Sequence, residues 1–372
     1  MPVSRRRARR NLRTRPLVLG LSSTELKLST VQRLRARMLR LLKAMVRLIS
    51  HRLSPVLLGL GLATACAAPL LRSTATSAAP PPIHELWQGR DQSSLDLFYG
   101  VGGEAAAPKP NAQFKFIKED TTGASPGYTV RDEEGHEWDV KLGVEVQPEI
   151  VVSRLLWALG YHQPPTYYLA SGWELSGAPG NLKTAQGPQN AARFRPDRPN
   201  EKVVQDWSWY ENPFVGTREF KGLVLANFML SQMDLKTSNN KLYEVDPPVN
   251  GASRLFVVRD LGYALGKESP KLGWLRWRWM RGSKNDIDDF EETGFFRQVE
   301  NRLEFDYRGL DPDLFEGIST SDIRWLCEQF ARLSDSQFDD AFRAASYPQD
   351  IRARYIKKIK EKIDQGLAVA NQ

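Results

Sequence analysis

Cysteine and histidine are scarce in this chain. Its 372 residues include two cysteines, Cys66 and Cys327, and four histidines that are scattered along the sequence. With so few cysteines, the fold must depend on its core for stability and not on a framework of disulfides. The same scarcity leaves no cluster of histidines and cysteines with metal-ligand spacing, so we predict no zinc site.

Long apolar runs are also missing. The apolar run at residues 55–65 is short for a full membrane span, and it follows an arginine-rich stretch. Residues 1–52 contain fifteen Lys and Arg but a single acidic residue, Glu25, so the rest of the chain has a net charge of −6. The net positive charge of the whole chain therefore comes from residues 1–52. This distribution removes the main support for nucleic-acid binding, and we predict no nucleic-acid partner.

Residues 1–66 have the order of an export signal, which is basic, then apolar, then small. The stretch that ends at Cys66 resembles a lipoprotein cleavage box, in which that cysteine is lipidated. Because Ala63 occupies a position usually held by a larger aliphatic residue, cleavage by ordinary signal peptidase and a retained anchor stay open as alternatives. We predict a protein of a bacterial envelope that is exported and either periplasmic or membrane-anchored through its N-terminus. Residues 67–85 are predicted to be a flexible tether.

Beyond the tether, the pattern of the sequence changes along the chain. Residues 86–170 contain alternating apolar segments around turn signals, with one helical stripe, and are predicted to be a β-rich lobe. Residues 171–215 are rich in Gly, Pro, Asn and Arg, and are predicted to be a loop or insertion. Residues 216–372 are predicted to be a larger, mainly helical lobe. The predicted fold class is α+β, with ordinary globular composition and a sizeable core.

A D-x-K-x-x-N motif follows a strongly apolar segment that is predicted to be a buried helix. Asp234 is a candidate for the carboxylate that orients an attacking hydroxyl, and Lys236 could offset charge on a phosphoryl group. Asn239 lies five residues after Asp234, a spacing at which an amide can hold Mg²⁺ in phosphotransferases, and Asn240 is an alternative ligand. Asp, Lys, Ser and Asn are also common where a helix ends in a polar loop, so the motif alone is weak.

A second carboxylate and a lysine complete the set of groups that phosphoryl transfer needs. Asp260 follows an apolar strand and precedes Leu261-Gly262, where it is a candidate metal ligand. Lys141 ends a predicted strand, and Glu149 lies in the helix that follows, so this pair could place a cation on phosphates. Glu145 is an alternative partner of the lysine, and Lys141 could also be a surface residue without a role.

Two glycines before the same predicted hairpin, Gly123 and Gly127, could let backbone N–H groups approach phosphates. The segment between them is not a G-x-G-x-x-G loop, and an ordinary turn is an equally good interpretation.

Together, V-K-L-G, E-x-x-x-E, M-D-L-K-T-S-N-N and V-V-R-D-L-G resemble a protein-kinase-like fold over roughly residues 110–345. More specifically, the chain resembles exported atypical kinases: secretory-pathway kinases, CotH-type spore-coat kinases and, more distantly, HipA-type kinases. The resemblance implies a bilobal fold with ATP and Mg²⁺ between the lobes. It implies that Lys141 contacts phosphates and is held by Glu149, that Asp234 is catalytic, and that Asn239 and Asp260 bind metal. Departures include Gln232-Met233 where kinases have His-Arg, and no A-P-E after Asp260.

We therefore predict an exported transferase of the kinase-like class that binds ATP and magnesium. Its partners would be the nucleotide, an acceptor that is a protein or a small hydroxyl compound, and the membrane through the N-terminal anchor. The alternative is a non-catalytic, kinase-like binding module anchored at the cell envelope.

Overall fold

The computed structural model describes residues 82–121, 125–180, 191–268, 282–300, 302–307 and 311–369. These residues belong to one compact unit, Ala78–Gln372. The strands that they form are β1 (Gln113–Asp120), β2 (Gly127–Arg131), β3 (Glu137–Leu142), β4 (Tyr167–Leu169), β5 (Glu174–Ser176), β6 (Ala192–Pro196), β7 (Glu201–Asp206), β8 (Asn240–Val249), β9 (Ala252–Val258), β10 (Phe296–Val299) and β11 (Arg302–Phe305). The α-helices are α1 (Val146–Ala158), α2 (Arg218–Met229), α3 (Ile287–Glu291), α4 (Thr320–Ala331), α5 (Asp335–Arg343) and α6 (Gln349–Leu367).

A six-stranded sheet forms the N-terminal part, in the strand order β4-β6-β3-β2-β1-β5. Strands β1, β2 and β3 are consecutive antiparallel neighbours, and the turn between β2 and β3 contains Asp132 and Gly135, as turn chemistry predicts. The chain leaves the sheet after β3 through α1 and returns in β4 and β6, so that β6 lies beside β3. Helix α1 is therefore anchored directly beyond the end of β3.

Side chains alternate between the two faces of this sheet, as strand geometry requires. In β3, Trp138, Val140 and Leu142 are buried in an aromatic cluster, which Phe194 of β6 joins. Phe194 stacks on Phe114 of β1 with ring centroids 4.9 Å apart. In β3 and β6, the residues between these buried side chains are polar or charged, and they consequently face the opposite side of the sheet.

The C-terminal part is mainly helical and is built around a separate, larger hydrophobic cluster. Helix α2 begins at a strong cap, because the side chain of Thr217 accepts a hydrogen bond from the backbone N–H of Phe220 at 3.2 Å. Its residues Leu223 to Met229 are nearly all buried, as the apolar sequence predicts. Helices α4 and α5 each begin with a capping box, at Ser319 and Ser334 respectively.

Strands β8 and β9 form an antiparallel hairpin that positions the end of the D-x-K-x-x-N motif. Asn240 at the start of β8 pairs with Val258 at the end of β9. The residues just outside this pair are therefore neighbours, and the backbone N–H of Arg259 donates to the carbonyl of Asn239 at 2.8 Å. Asn239 and Asp260, which are distant in sequence, meet at the open end of one hairpin.

The α+β class, with a β-rich N-terminal part and a mainly helical C-terminal part, is confirmed. The prediction of a loop at residues 171–215 is wrong for the described part of that segment, because it contains β5, β6 and β7. In β6 arginines alternate with apolar residues, and the surrounding segment is rich in turn-forming residues. For these two reasons its strand pattern was not recognised in the sequence. The hairpin of β10 and β11 was also missed, in the part predicted to be mostly helical. Of the described helices, none is both long and apolar enough to cross a membrane.

Candidate functional site

One cavity of about 410 Å³ is lined by residues from the sheet, from α1 and from the segment between α2 and Asp260. Twelve of its seventeen lining residues are charged, six acidic and six basic, so the cavity suits an ionic ligand. The predicted site residues that line it are Gly127, Lys141, Glu149, Asp234, Lys236, Asn239 and Asp260. The other two predicted positions, Gly123 and the lipidation site Cys66, lie outside the described residues.

Lys141 is at the centre of the acidic groups. Its Nζ lies 3.0 Å from Glu145, 3.2 Å from Glu149 and 3.0 Å from Asp260. Burial opposes the charge on this lysine, but Glu149, Asp260 and Glu145 outweigh burial and raise the pKa of Lys141 above its ordinary value. Lys141 is therefore a cation at any physiological pH. The structure joins both candidate partners to it, Glu149 and Glu145, and does not choose between them.

The short connection from β3 to α1 explains why these groups meet. Lys141 is the last but one residue of β3, and α1 begins only four residues after that strand ends. Glu145 is the N-cap of α1 and Glu149 lies in its first turn, where a carboxylate is favoured by the helix dipole. Glu145 also accepts a hydrogen bond from Ser125 and contacts Lys284. Although burial raises its pKa, Lys141 and Lys284 lower the pKa of Glu145 to about 2.

Asp234, Lys236 and Asn239 form a compact turn that ends in a 3₁₀ helix, Thr237–Asn239. The Nζ of Lys236 lies 2.8 Å from the carboxylate of Asp234, and the Nδ2 of Asn239 donates to the carbonyl of Asp234 at 2.8 Å. The side chain of Lys236 is 63% exposed, so this cation can move to a ligand in the cavity. The side chain of Asp234 is 30% exposed.

Gln232 joins the two acidic segments, and its role was not predicted. The buried side chain donates from Nε2 to the carbonyl of Asp260 at 2.6 Å and accepts from the backbone N–H of Asp234 at 3.3 Å. It therefore fixes the spacing between the two carboxylate-bearing segments. The sequence showed only that Gln232 stands in a place where kinases have histidine.

Asp260 faces Lys141 and is followed by a close approach of backbones at Gly262. The backbone N–H of Gly262 donates to Oδ1 of Asp260 at 3.4 Å. Burial opposes ionisation of Asp260, but Lys141 outweighs it and lowers the pKa of this carboxyl. A Cβ at Gly262 would lie 2.6 Å from the Cβ of Glu145, a distance that real contacts do not reach. A glycine is thus required for the chain to pass this close to Glu145.

Three arginines line the cavity beside Lys141, and sequence reasoning missed all of them. Arg193 and Arg195 of β6 lie 3.1 and 2.8 Å from Oε1 of Glu149. Both also face Asp139 of β3, at 3.1 and 3.6 Å, and Arg259 reaches the same carboxylate at 3.1 Å. Although burial opposes it, these arginines hold the pKa of Asp139 well below its ordinary value. Burial, together with Arg193 and Arg259, lowers the pKa of Arg195 to about 10.

The signal that could have found this group is the alternation of charges in two short strands. Asp139 and Lys141 are two residues apart in β3, and Arg193 and Arg195 are two apart in β6, so each pair lies on one face. The register then sets Asp139 opposite Arg195, and Lys141 opposite Arg193. Predicting that register required the position of β6 beside β3, which the sequence did not supply.

The donors of the cavity fit a magnesium ion that is shared with a phosphate ligand. Asp260 provides carboxylate oxygens, and Asn239 directs its Nδ2 to a carbonyl, which leaves its amide oxygen as the donor to a cation. Mg²⁺ in phosphotransferases is bound by one or two such groups together with substrate phosphates and water. Within the described ranges, no group of three or more His, Cys, Asp and Glu could hold a metal by itself.

Comparison with known proteins gives little beyond these observations. No protein-family model matches the chain, and no curated protein matches it. Among solved structures, the chain is similar to the proinflammatory kinase CtkA of Helicobacter pylori, with a TM-score of 0.41 and 12% sequence identity. The match covers 68% of this chain and 95% of that one. A likeness of this size supports no inference about activity.

Proposed function

We propose that this protein is a kinase-like phosphotransferase that uses Mg²⁺ and ATP. One observation carries the proposal: Lys141 contacts Glu149 and Asp260 in the same cavity that Asp234 and Asn239 line. These are the residue types that phosphoryl transfer uses to hold phosphates, bind metal and orient a hydroxyl. They come from four separate elements of the chain.

Each side chain has a distinct part in the proposed reaction. Lys141, held by Glu149, binds the phosphates of the nucleotide, and Lys236 moves from Asp234 to offset charge on the transferred group. Asp260 and Asn239 would hold Mg²⁺, which when bound neutralises phosphate charge. Asp234 accepts a hydrogen bond from the acceptor hydroxyl, aims its oxygen and takes its proton as the new P–O bond forms, while the bond from the γ-phosphorus to the bridging oxygen breaks and ADP leaves.

Binding and turnover can be separated by two variants. We expect the purified protein to bind ATP in the presence of Mg²⁺, and Asp260→Asn to lose that binding. Asp234→Asn should retain binding but reduce phosphate transfer by roughly 100-fold or more. Asp335→Asn is a matched control, because its side chain on α5 is 92% exposed and does not line the cavity. Unchanged ATP binding in Asp260→Asn would remove the proposed metal role.

A non-catalytic binding module is the second candidate. Gln232-Met233 precedes Asp234 where the kinases that this chain resembles have His-Arg, and Gln232 has a purely positioning contact with each acidic segment. Autophosphorylation by the wild type that disappears in Asp234→Asn would decide against this candidate. ATP binding without any phosphate transfer would favour it.

We also propose that the protein acts outside the cytoplasm on a protein or a small hydroxyl compound, as do the exported atypical kinases that the sequence resembles. The predicted leader at residues 1–66 and the predicted lipidation site at Cys66 support this location, and both lie outside the described residues. Cell fractionation and lipid labelling test it. Wild type should enter the membrane fraction and incorporate labelled lipid, whereas Cys66→Ser should not incorporate lipid.

A further inference from the structure

The wall of the cavity formed by the sheet is charged. On β3, Trp138, Val140 and Leu142 enter the aromatic cluster, so Asp139 and Lys141 face the cavity. Strand β6 has the same arrangement: Ala192 and Phe194 are in the aromatic cluster, whereas the residues that line the cavity from this strand are Arg193 and Arg195.

The rest of the described cavity lining does not supply an apolar surface either. Among the described lining residues, Val140 is the only one with an apolar side chain, and that side chain belongs to the aromatic cluster on the other face. The hairpin of β8 and β9 adds Lys241 and, just after its end, Arg259. A nucleotide base stacked on an aromatic side chain gains roughly 5- to 150-fold in affinity. The described lining offers no such stacking surface.

The same wall is well suited to a chain of phosphates. The ion pairs of Arg193, Arg195 and Arg259 involve two carboxylates, Asp139 and Glu149, and Glu149 also pairs with Lys141. Arg195 is only 6% exposed, yet its Nε has no hydrogen-bond partner among the described residues. Guanidinium groups bind phosphate through paired N–H donors, and they do so most strongly where water is excluded.

We propose that this cavity recognises the phosphate chain of its ligand and not the base. The ligand class is Mg²⁺-bound polyphosphate, which includes inorganic tripolyphosphate as well as nucleoside triphosphates. This inference rests on the proposed function, because it concerns the same site. It adds that adenine contributes little to binding, so ATP is one of several ligands that the site accepts.

The experiment is a comparison of four probes by calorimetry on the full chain with Mg²⁺: ATP, GTP, inorganic tripolyphosphate and adenosine. We expect the dissociation constants of the three phosphate ligands to agree within tenfold, and adenosine not to displace ATP. ATP binding more than tenfold tighter than both other phosphate ligands would overturn the inference and leave the proposed function standing. If none of the phosphate ligands binds, both are overturned.

Substitution of one arginine provides a second readout. Arg259→Gln removes a partly exposed guanidinium from the cavity, and we expect it to weaken ATP, GTP and tripolyphosphate by a similar factor of about tenfold. Arg254→Gln is the control on β9, the strand that ends just before Arg259, because Arg254 pairs with Glu85 and does not line the cavity. Both variants are first checked for wild-type thermal unfolding. A loss confined to ATP would show that Arg259 acts through the base and would contradict the inference.

Discussion

Glu149 is the residue whose loss should cost the fold most within the cavity. It is 2% exposed, and its two oxygens contact Lys141 at 3.2 Å, Arg193 at 3.1 Å and Arg195 at 2.8 Å. The change Glu149→Gln keeps the shape of the side chain but removes its charge. Removal of one partner from a buried ion pair destabilises proteins by about 3–5 kcal/mol, because the other charge stays buried without compensation.

The surrounding contacts place the expected cost at the lower end of that range. Lys141 would keep Glu145 and Asp260, each at 3.0 Å. Arg193 would keep Asp139 at 3.1 Å, whereas Arg195 would keep the same carboxylate only at 3.6 Å. The uncompensated charge therefore falls mainly on Arg195. We expect Glu149→Gln to lower the free energy of unfolding by about 3 kcal/mol.

Urea unfolding followed by tryptophan fluorescence measures this change, since the chain has ten tryptophans. Replacement of Arg195, the cation left without a partner, should recover stability. The double variant Glu149→Gln with Arg195→Met should therefore lose less unfolding free energy than the sum of the two single variants. The control Glu134→Gln affects an exposed acid on the β2–β3 turn and should change stability by no more than about 0.5 kcal/mol. A loss below about 1 kcal/mol in Glu149→Gln, or strict additivity in the double variant, would refute the reasoning.

Three further perturbations follow from single contacts. Because the pKa of Glu145 is lowered to about 2, its stabilisation is complete above about pH 4.5 and is lost as the pH falls toward 2. The difference in unfolding free energy between wild type and Glu145→Gln, measured by urea titrations at several pH values, should shrink in that window. Gly262→Ala should destabilise the fold by about 1–3 kcal/mol in the same assay, because its Cβ would meet Glu145 at 2.6 Å; a smaller loss would mean that the loop shifts freely. Burial, with Lys358 nearby, lowers the pKa of Lys362 to about 7. Between about pH 7 and 10.5 the unfolded chain therefore binds a proton at this lysine that the folded chain does not. Because of this difference, Lys362 makes the free energy of unfolding rise with pH in that window. Comparison of Lys362→Met with wild type across this window should show that contribution disappear, and an identical pH dependence would contradict the assignment.

The sequence predicted local elements better than their assembly. The first hairpin, the helix that carries Glu149 and the hairpin that ends before Asp260 could be predicted because periodicity and turn residues act over a few positions. Strand β6 could not, since its burial depends on partners such as Asp139 and Glu149 that are distant in sequence. An arginine is predicted to be exposed unless its ion-pair partners are already known.

The same distinction between local pattern and tertiary assembly holds for the residues of the candidate site. The acidic residues and Lys141 belong to short motifs whose spacing indicates chemistry, and the structure brings them to one cavity, while their roles stay predictions. Gln232, Arg193 and Arg195 belong to no such motif. Their contribution arises from the register between β3 and β6 and from the way α2 leads into the turn at Asp234. Such contacts depend on tertiary packing, which spacing along the chain does not encode.

Stability does not account for the charged wall of the cavity. Glu149, Arg193 and Arg195 are each less than 10% exposed, and their desolvation costs free energy that ion pairing at best offsets. Apolar residues of similar volume at these positions would stabilise the sheet equally well or better. The aromatic cluster on the other face of the same strands shows that this sequence can build such a wall. In the proposed function, a polyphosphate ligand would supply further compensation, since it would add negative charge beside three arginines that share the two carboxylates of Asp139 and Glu149. If that is correct, saturating tripolyphosphate with Mg²⁺ should raise the unfolding temperature of wild type and have a smaller effect on Arg259→Gln.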